Sequence, residues 1–433
     1  MLKGNVPKGN VLVLGATGFI GRRIVAALLD AGYAPVGGVR RPRLFERMFP
    51  GCQAVACDLA HDIDPAHWLP RLAGIQAVVN CAGVLTDRHS RAVHVDAPKA
   101  LHAACEQAGL RRIIHISAIS ASEDAGTAYA GEKRAAEIDL QRRDLDWVVL
   151  RPSLVFAEGS HGGTSALRGM AAFPGFVPLP GGGEQSFTPI HAEDLAAAVV
   201  RLVSPGAPAK LVLEPCGPET MTLKAIVLAW RAWLGLAPAP VLAVPMVLVR
   251  ILGRALDFLG GGPLSTTGVR QLEFGNAGDG QAFAAAIGFA PRSMRAWLQA
   301  RPSSVQDKWH ARLYFLRPIL RWVLGSSWIA SGVIGMLAPV GFVAAMLVPF
   351  NIAAVAPPVR GATCLLDIAI GIALLARFRP GLMLAVQVLV VLGYSTAFTI
   401  AEPALWLEPL GPLVKNAAFL GLAAVIAVLE DDR

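Results

Sequence analysis

The segment NVLVLGATGFIGRRIVAALLDAGY, near the start of the chain, constrains the fold more than any other part of the sequence. Its apolar start, VLVL, is typical of a short strand that is buried on both faces of a parallel sheet. Three glycines follow at Gly15, Gly18 and Gly21, and a helical pattern then continues to Gly32. The segment therefore predicts a buried strand, a tight glycine turn and a helix, in that order.

The glycine turn predicts a binding site for phosphate. Glycine permits a tight turn and lets backbone N–H groups approach a pyrophosphate at the N-terminus of the following helix. The spacing is G-x-x-G-x-x-G, which differs from the G-x-G-x-x-G spacing of the usual dinucleotide fingerprint. Three glycines alone are weak evidence, but their place between a strand and a helix makes the prediction strong. The residues assigned to this cofactor site are Gly15, Thr17, Gly18, Phe19, Ile20 and Gly21.

The end of the second predicted strand bears on the choice of dinucleotide. That strand, in APVGGVRRP, should end at about Val39, and Arg40 and Arg41 follow it. NAD-binding folds often place an acidic residue here for the ribose 2′-hydroxyl, whereas an arginine accommodates the 2′-phosphate of NADP. The sequence therefore favours NADP(H) over NAD(H). The alternative is a pair of solvated arginines in a loop.

Strands and helices continue to alternate along the chain. CQAVACDL predicts a third strand that ends at Asp58, where its carboxylate would meet the adenine end of a dinucleotide. IQAVVNCAG, RRIIHIS and LDWVVLRPS predict three more strands, the second of which ends near Ser117. Because helical patterns separate these strands, we predict an α/β fold with a doubly wound parallel sheet.

The stretch YAGEK places Tyr129 and Lys133 four residues apart on a predicted helix. Positions i and i+4 lie on one helix face, so the ammonium group can stabilise a phenolate that forms on the tyrosine. An unperturbed tyrosine titrates near pH ~10, and general-base work near neutrality therefore requires a nearby cation. The pair predicts an acid–base site. The alternative is a solvated helix face, because EKRAAE is an ordinary surface composition.

Taken together, the glycine turn, Asp58-Leu59, NCAG, YAGEK, LRPSLVF and FTPIHAEDLAAAV resemble an atypical or extended short-chain dehydrogenase/reductase. The resemblance is to the branch that contains the NADPH-binding accessory subunit of respiratory complex I, and it covers roughly residues 10 to 300. It implies that Tyr129 is the general acid–base and that Lys133 binds the nicotinamide ribose and lowers the pKa of the tyrosine. It adds these residues to the cofactor site: Asp58, Leu59, Cys81, Ala82, Gly83 and Lys133.

The catalytic set departs from the family pattern in two places. The family usually places a Ser or Thr after the first serine at the end of the fifth strand, to polarise the substrate carbonyl, and Ala118 stands there. Ser117 is the residue assigned to this role, with Ser120 as the other candidate. His94 occupies a position where many relatives have asparagine. The first domain is therefore expected to be either a reductase or a module that binds NADPH without chemistry.

The last part of the chain predicts a membrane domain. Four apolar segments lie at about 318–338, 361–377, 381–400 and 413–430, each close to the ~20 residues that cross a hydrocarbon core. The apolar stretch between the first two contains prolines and is not counted as a span. Four spans with a cytosolic start keep most flanking arginines inside, as the positive-inside rule requires, whereas a fifth span would place Arg377 and Arg379 outside.

This part resembles the DoxX-like membrane family through CLLDIAIGIALL and LWLEPLGPLVKNAAFLGL, over about residues 312 to 430. Function in that family is poorly defined, although some relatives are linked to quinone-coupled oxidoreductases. Asp367 stands inside the second span, where an unpaired carboxylate is costly. Three alternatives remain for its carboxylate: a pair with Lys415, a polar cavity, or the membrane interface.

The composition excludes several other classes of function. The chain has 433 residues, 54% of them hydrophobic and 16% charged, with a net charge of +8. No dense Lys/Arg tract is present, so nucleic acid is not an expected partner, and the basic balance fits an anionic bilayer surface better. The six cysteines show no C-x-x-C pair and no His clustering at ligand spacing, so no metal site is expected. The N-terminus lacks the apolar region of a signal peptide, which predicts a cytosolic first domain.

These observations predict a fused protein with three parts: an NADP(H)-binding domain at 1–225, a substrate-side lobe at 226–305 and a transmembrane domain at 306–433. The expected activity is hydride transfer on a carbonyl or alcohol of a small, lipid-soluble or quinone-like molecule. A non-catalytic NADPH-binding module of a membrane complex and a nucleotide-sugar epimerase or dehydratase are the alternatives. The expected location is a bacterial-type inner (cytoplasmic) membrane, with protein partners left open.

Overall fold

The computed structural model describes residues 8–85, 88–122, 126–257, 262–409 and 411–430. The chain divides into two compact units, residues 1–311 and 312–433. The predicted division of the first part at residue 225 stays a prediction.

The first unit is built on a parallel sheet of seven strands, in the order β11-β6-β5-β4-β1-β2-β3. Six of these strands are β1 (Asn10–Leu14), β2 (Ala34–Val39), β3 (Ala54–Ala56), β4 (Ala77–Asn80), β5 (Arg112–Ile116) and β6 (Asp146–Leu150). Short strands follow as β7 (Val155–Phe156), β8 (Val177–Pro180), β9 (Ser186–Phe187), β10 (Ile190–His191), β11 (Leu211–Leu213), β12 (Met221–Thr222) and β13 (Val241–Val244). The predicted doubly wound parallel sheet is confirmed.

Helices cover both faces of this sheet and build the region beyond it. The first seven are α1 (Gly21–Asp30), α2 (Pro42–Met48), α3 (Pro65–Trp68), α4 (Ala97–Gln107), α5 (Ala128–Gln141), α6 (Gly163–Ala171) and α7 (Ala192–Val203). The next five are α8 (Leu223–Trp233), α9 (Met246–Asp257), α10 (Thr266–Phe274), α11 (Gln281–Ile287) and α12 (Met294–Ala300). A π-helical turn at Ala92–Asp96 leads into α4.

The apolar start of the sequence explains the centre of the sheet. Side chains alternate between the two faces of a strand. Val11 and Val13 of β1 therefore pack in one core cluster with Ile24 of α1, whereas Leu12 and Leu14 pack in the cluster on the other face. A strand buried on both faces has no solvated position, which is why its sequence is a continuous apolar run.

The sheet reverses its direction of growth between β1 and β4. Both strands flanking β1, β2 and β4, pair with it in parallel register. In open α/β sheets, ligands bind outside the carboxyl ends of the strands at such a point. The glycine turn after β1 and the NCAG stretch after β4 lie at this position, so the topology places the predicted cofactor residues where a dinucleotide binds.

The second unit is helical: α13 (Val305–Leu337), α14 (Val340–Leu347), α15 (Ala356–Leu375), α16 (Pro380–Ala401) and α17 (Lys415–Leu429). In the described part of the chain, three helices are long and apolar enough to cross a membrane: Val305–Leu337, Ala353–Leu375 and Pro380–Ala401. The fourth predicted span corresponds to α17, a shorter apolar helix of 15 residues. At ~1.5 Å per residue such a helix is ~22 Å long, less than the ~30 Å of a hydrocarbon core.

Ion pairs link α13 to the C-terminal ends of α15 and α17 in the second unit. The carboxylate of Glu430, after α17, lies 2.7 Å from a guanidinium nitrogen of Arg321 and 2.8 Å from one of Arg377. At the other end of α13, Arg360 donates a hydrogen bond to the carbonyl of Ala338, at 2.7 Å. The end of α15 and the end of α17 therefore lie on the same side of this unit as Arg321.

Asp367 is buried in the second unit and contacts two neutral hydroxyl groups. Ser331 of α13 donates to one carboxylate oxygen at 2.9 Å, and Tyr394 of α16 donates to the other at 3.0 Å. Of the three alternatives for this carboxylate, the pair with Lys415 is not the one that these contacts show. Because a polar group inside apolar surroundings is costly unless it is hydrogen-bonded, these two donors explain how a carboxylate is accommodated there.

Candidate active site

The glycine turn after β1 closes tightly against its own helix. Gly15 has a φ of +74°, a conformation that favours glycine, and its carbonyl accepts a hydrogen bond from the N–H of Gly18 at 2.9 Å. A Cβ at Gly21 would lie 2.2 Å from the same carbonyl oxygen, so no larger residue fits without moving the backbone. The turn thus exposes backbone N–H groups at the start of α1. This cradle of backbone donors fits a pyrophosphate.

The residues between these glycines shape the outer wall of the turn. Thr17, Phe19 and Ile20 are half-buried, and Gly18 is exposed. Arg23 donates to the carbonyl of Phe19 at 2.8 Å, and its guanidinium lies 4.5 Å from the centroid of that ring. One arginine of α1 therefore holds the turn in place.

The carboxyl ends of β2 and β3 bring charged residues to the adenine side. Arg40 and Arg41 are exposed directly after β2. The Asp58 carboxylate accepts hydrogen bonds from the Ala60 N–H at 3.2 Å and from His61 Nδ1 at 3.1 Å. Burial alone would raise the pKa of Asp58, but these two bonds and the charges of His61 and Arg40 outweigh burial and lower it. Asp58 is therefore an anion beside Arg40.

The segment after β4 lies against the glycine turn. The Cys81 thiol donates to the carbonyl of Leu14 at 2.8 Å, and burial raises its pKa to about 12, so it is an uncharged packing group. A Cβ on Gly15 would lie 3.0 Å from the Cα of Ala82. A Cβ on Gly83 would lie 3.5 Å from the Lys133 Nζ. The segment 81–83, which is predicted to bind the cofactor, thus lies between the glycine turn and the predicted acid–base pair.

The helix that carries Tyr129 and Lys133 begins at a polar cap. The Thr127 hydroxyl accepts a hydrogen bond from the Ala130 N–H at 3.2 Å, as expected for an N-cap threonine. Lys133 is buried, and its Nζ donates to the carbonyl of Ile116, the last residue of β5, at 3.0 Å. The Tyr129 ring packs edge-on against His94, with centroids 5.4 Å apart. The structure therefore places the pair at the carboxyl ends of β4 and β5.

Burial is the largest influence on the pKa values of this pair. Burial raises the pKa of Tyr129 to about 12. Burial also lowers the pKa of Lys133 to about 8, although Glu137 and Cys81 oppose that change. The Lys133 Nζ donates its hydrogen bond to the Ile116 carbonyl, and the lowering of the Tyr129 pKa by this lysine stays a prediction. Tyr129 is therefore a protonated phenol at neutral pH, the form that donates a proton to a carbonyl oxygen.

Ser117 follows Ile116 at the end of β5, Ser120 lies in the short turn after it, and both are buried. The backbone N–H of Ser117 donates to the Leu150 carbonyl at 2.7 Å. Within the described ranges, neither serine hydroxyl has a hydrogen-bond partner. Because buried polar groups are normally hydrogen-bonded, an unpaired hydroxyl at the end of β5 fits a site that a bound molecule completes.

His94 has a structural role that the sequence did not indicate. It lies in the π-helical turn, and its Nε2 is 2.7 Å from the Val84 carbonyl oxygen. Burial first, and the charge of Lys133 second, lower the pKa of His94 to about 3, so the ring is neutral. It positions the segment after Gly83 and supports the Tyr129 ring. The only sequence signal was a histidine at a position where many relatives have asparagine.

An apolar cavity of about 150 Å³ lies near the start of α5. The side chain of Gln271, in its wall, donates to the Thr127 hydroxyl at 2.8 Å, which ties the wall to the start of α5. A cavity of ~150 Å³ holds a group about the size of a benzene ring. Sequence analysis missed it because its lining comes from many segments: Leu85, Leu154, Gly163, Ala166, Leu167, Met170, Pro180, Phe187, Val249, Pro263, Leu264, Gly268, Val269, Gln271, Leu272 and Asn276.

Comparisons with known proteins match two separate parts of the chain to two families. Residues 15–204 match the NAD(P)H-binding family, and residues 325–424 match the DoxX-like family. Ceramide reductase from Caulobacter vibrioides is 30% identical over 198 residues, which cover 45% of this chain and 60% of that protein. NADH dehydrogenase [ubiquinone] 1 alpha subcomplex subunit 9 from Arabidopsis thaliana is 29% identical over 230 residues, which cover 48% of this chain and 54% of that protein.

Solved structures share the fold of the first unit. MoeE5 in complex with UDP-glucuronic acid and NAD has a TM-score of 0.53 and 22% identity, with 68% of this chain and 97% of that chain covered. The first unit therefore has an NAD(P)H-binding domain with a Rossmann fold, and its similarity to short-chain dehydrogenases/reductases is a similarity of fold. This particular chain joins such a unit to a DoxX-like helical membrane domain.

Proposed function

We propose that this protein is a membrane-anchored, NADP(H)-dependent oxidoreductase that reduces the carbonyl group of a lipid-soluble molecule. The observation that carries the proposal is the apolar cavity, whose wall is hydrogen-bonded through Gln271 to the N-cap of the helix bearing Tyr129 and Lys133. An apolar pocket near the helix that carries the half-buried Tyr129 fits a substrate with a reactive carbonyl on a hydrocarbon body. The DoxX-like domain keeps the enzyme at the bilayer, where such molecules reside.

The residues of the site have distinct roles in this reaction. NADPH, when bound, would supply the hydride for the carbonyl carbon. Tyr129 donates the proton to the carbonyl oxygen, which gives an alcohol, and burial keeps it protonated for this step. Ser117 donates a hydrogen bond to the same oxygen, and Lys133 binds the nicotinamide ribose. Backbone N–H groups of the glycine turn hold the pyrophosphate, and Arg40 and Arg41 hold the 2′-phosphate.

The chemistry of the cavity wall supports a lipid over a nucleotide sugar. Among the described residues of its lining, Gln271 and Asn276 alone contribute polar side chains. A sugar needs many hydrogen-bonding partners, because each buried hydroxyl without one is costly. The relative named as a ceramide reductase supports a lipid substrate. The sugar-nucleotide enzymes among the structural neighbours share only the fold, at 22% identity or less.

A module that binds NADPH without chemistry is the second candidate. Ala118 favours it, because no hydroxyl is present at the position where the family usually has one. A relative named as a subunit of NADH dehydrogenase supports the same alternative. The two candidates differ in one measurable property, which is oxidation of NADPH that depends on a substrate.

The deciding experiment measures NADPH oxidation by the full chain in nanodiscs. The substrates are ketones with acyl chains of increasing length, quinones and UDP-sugars. We expect turnover with long-chain ketones, rising with chain length until the apolar pocket is filled. Tight NADPH binding with no turnover on any substrate would support the non-catalytic module. Turnover on UDP-sugars alone would contradict the proposal.

A substitution in the cavity tests whether the substrate occupies it. Ala166→Leu adds three carbon atoms to the lining, and we expect the KM for a long-chain ketone to rise about 10-fold, since overfilling a packed site costs ~1–3 kcal/mol. NADPH affinity should not change. Ala285→Leu makes the same change at an exposed position of α11 and is the matched control. Equal KM values for both variants would show that the substrate binds elsewhere.

We further propose that both termini face the cytosol of a bacterial-type cell, with the chain in the inner membrane. The ion pairs of Glu430 with Arg321 and Arg377 support this orientation, because they gather arginines and the C-terminus on one side. A cysteine introduced at Glu408, in the connection before α17, should react with an impermeant maleimide in intact spheroplasts. A cysteine at Asp307 should react only after lysis, and the reverse pattern would overturn the orientation.

A further inference from the structure

Helix α9 exposes an unusual amount of apolar surface for a helix of a soluble unit. Val247, Leu248, Ile251 and Leu252 are exposed by 63%, 56%, 57% and 52%. On the neighbouring β13, Leu242 is exposed by 50%. A contiguous apolar patch of this kind marks a site of interaction with another protein or with a membrane. We call these five side chains the α9 patch.

The opposite side of α9 faces the apolar cavity. Val249 lines the apolar cavity. Gly253 is buried, and a Cβ there would lie 3.3 Å from both the Thr266 N and a methyl carbon of Val269, on α10. One helix therefore separates the cavity from the surface, with apolar side chains on both sides.

The charges beside the α9 patch are those expected at a phospholipid surface. Arg250 is exposed and pairs with Glu273, with 2.8 Å between Nε and a carboxylate oxygen. Arg254 is exposed one turn further along the helix, and Arg270 of α10 donates to the Gly126 carbonyl at 2.7 Å. A short helix with one apolar face and flanking arginines is typical of a segment that lies in a membrane interface. With 12 residues, α9 is ~18 Å long and cannot span a bilayer.

We propose that the α9 patch docks on the surface of an anionic phospholipid bilayer and that the lipid substrate passes beside α9 into the cavity. We expect a bilayer to cover the α9 patch because the chain carries helices long and apolar enough to span a membrane. The first unit is covalently joined to these helices and is therefore tethered to a membrane surface. Arg250 and Arg254 meet lipid phosphates, while the apolar side chains enter the acyl boundary. The substrate path rests on the proposed function, whereas the docking itself does not.

Photo-crosslinking in nanodiscs tests the docking without any turnover. Benzoylphenylalanine replaces Leu248 or Ile251 in the full chain, and mass spectrometry identifies the adducts after irradiation. Ile63, exposed by 51% on the same unit, is the matched control position. We expect phospholipid adducts at the two α9 positions, in several-fold excess over the control. Crosslinks to the chain's own membrane helices or to a second copy, or no excess over Ile63, would overturn the proposal.

Two further experiments test the docking of the α9 patch and the substrate path separately, the first by changing the lipid charge and the second by measuring activity. Adduct yield should fall when phosphatidylglycerol is replaced by phosphatidylcholine, and a yield that does not change would overturn the role of Arg250 and Arg254. In the variant Leu248→Glu/Ile251→Glu, turnover of a membrane-embedded ketone should fall severalfold, while a water-soluble short-chain ketone is reduced at the wild-type rate. Equal loss on both ketones would overturn the substrate path and leave the crosslinking result standing.

Discussion

Tyr129→Phe is expected to lower turnover of a lipid ketone by ~10²-fold or more, the usual contribution of a positioned general acid. The substitution removes one hydroxyl group and leaves the ring against His94, so the fold and the NADPH affinity should barely change. The assay is substrate-dependent NADPH oxidation beside NADPH titration, with the protein in nanodiscs. Full activity of the phenylalanine variant would refute the assignment, and Ser117 or Ser120 would become the candidate proton donor.

Lys133→Met is the companion variant, and it should fail differently. It removes a ribose donor and a buried charge, so affinity and turnover should fall together. Because burial lowers the pKa of Lys133 to about 8, the charged form is lost as the pH rises through that value. NADPH affinity of the wild type should therefore decrease above pH 8, and this decrease should be absent in Lys133→Met. If the pair were only a solvated helix face, both variants would behave like the wild type.

Arg40→Ala/Arg41→Ala is expected to weaken NADPH binding by ~1–3 kcal/mol, which is about 5- to 150-fold, if one charge-assisted contact to the 2′-phosphate is lost. Both arginines are exposed at the carboxyl end of β2, so a 2′-phosphate can reach them without a change in the sheet. NADH has no 2′-phosphate, and its affinity should change little. Titration of each dinucleotide measures the difference.

The matched control for this double variant is Arg47→Ala. Arg47 carries the same charge but lies about one and a half turns into α2. It tests whether general electrostatic attraction accounts for the effect, since that attraction would fall in the single variant by about half as much as in the double variant and would be screened by salt. Equal affinities for NADPH and NADH in the wild type, unchanged in the double variant, would contradict the preference for NADP(H).

The amino-acid sequence alone predicted the sheet and the helix that carries the candidate acid–base pair. Strands buried on both faces are short apolar runs, and the predicted ends of two of them are close: β2 ends at Val39 as expected, and β3 ends two residues before Asp58. The i, i+4 spacing also placed Tyr129 and Lys133 on one helix correctly. These features are local, so the chain's own periodicity determines them.

The membrane part was predictable to a lesser degree. The apolar segments gave the three long helices, but the first was expected to start at residue 318, and α13 instead begins at Val305 and continues through Pro318. The start of this longer helix belongs to the first unit, where Ala311 is buried against Ala172 and Leu234. The hydrogen-bond partners of Asp367 could likewise not be predicted from the sequence, because Ser331 and Tyr394 are distant from it along the chain.

What the sequence determined by itself is the set of local elements: a buried strand before a glycine turn, arginines at a strand end, and a tyrosine and a lysine on one helix face. Only the tertiary structure decided how these elements work together. It directed the Lys133 ammonium to the Ile116 carbonyl, surrounded Tyr129 so that its phenol stays protonated, and assembled an apolar cavity from segments nearly two hundred residues apart. The physical reason is that burial and electrostatic environment depend on neighbours brought together by folding, and no spacing along the chain records them.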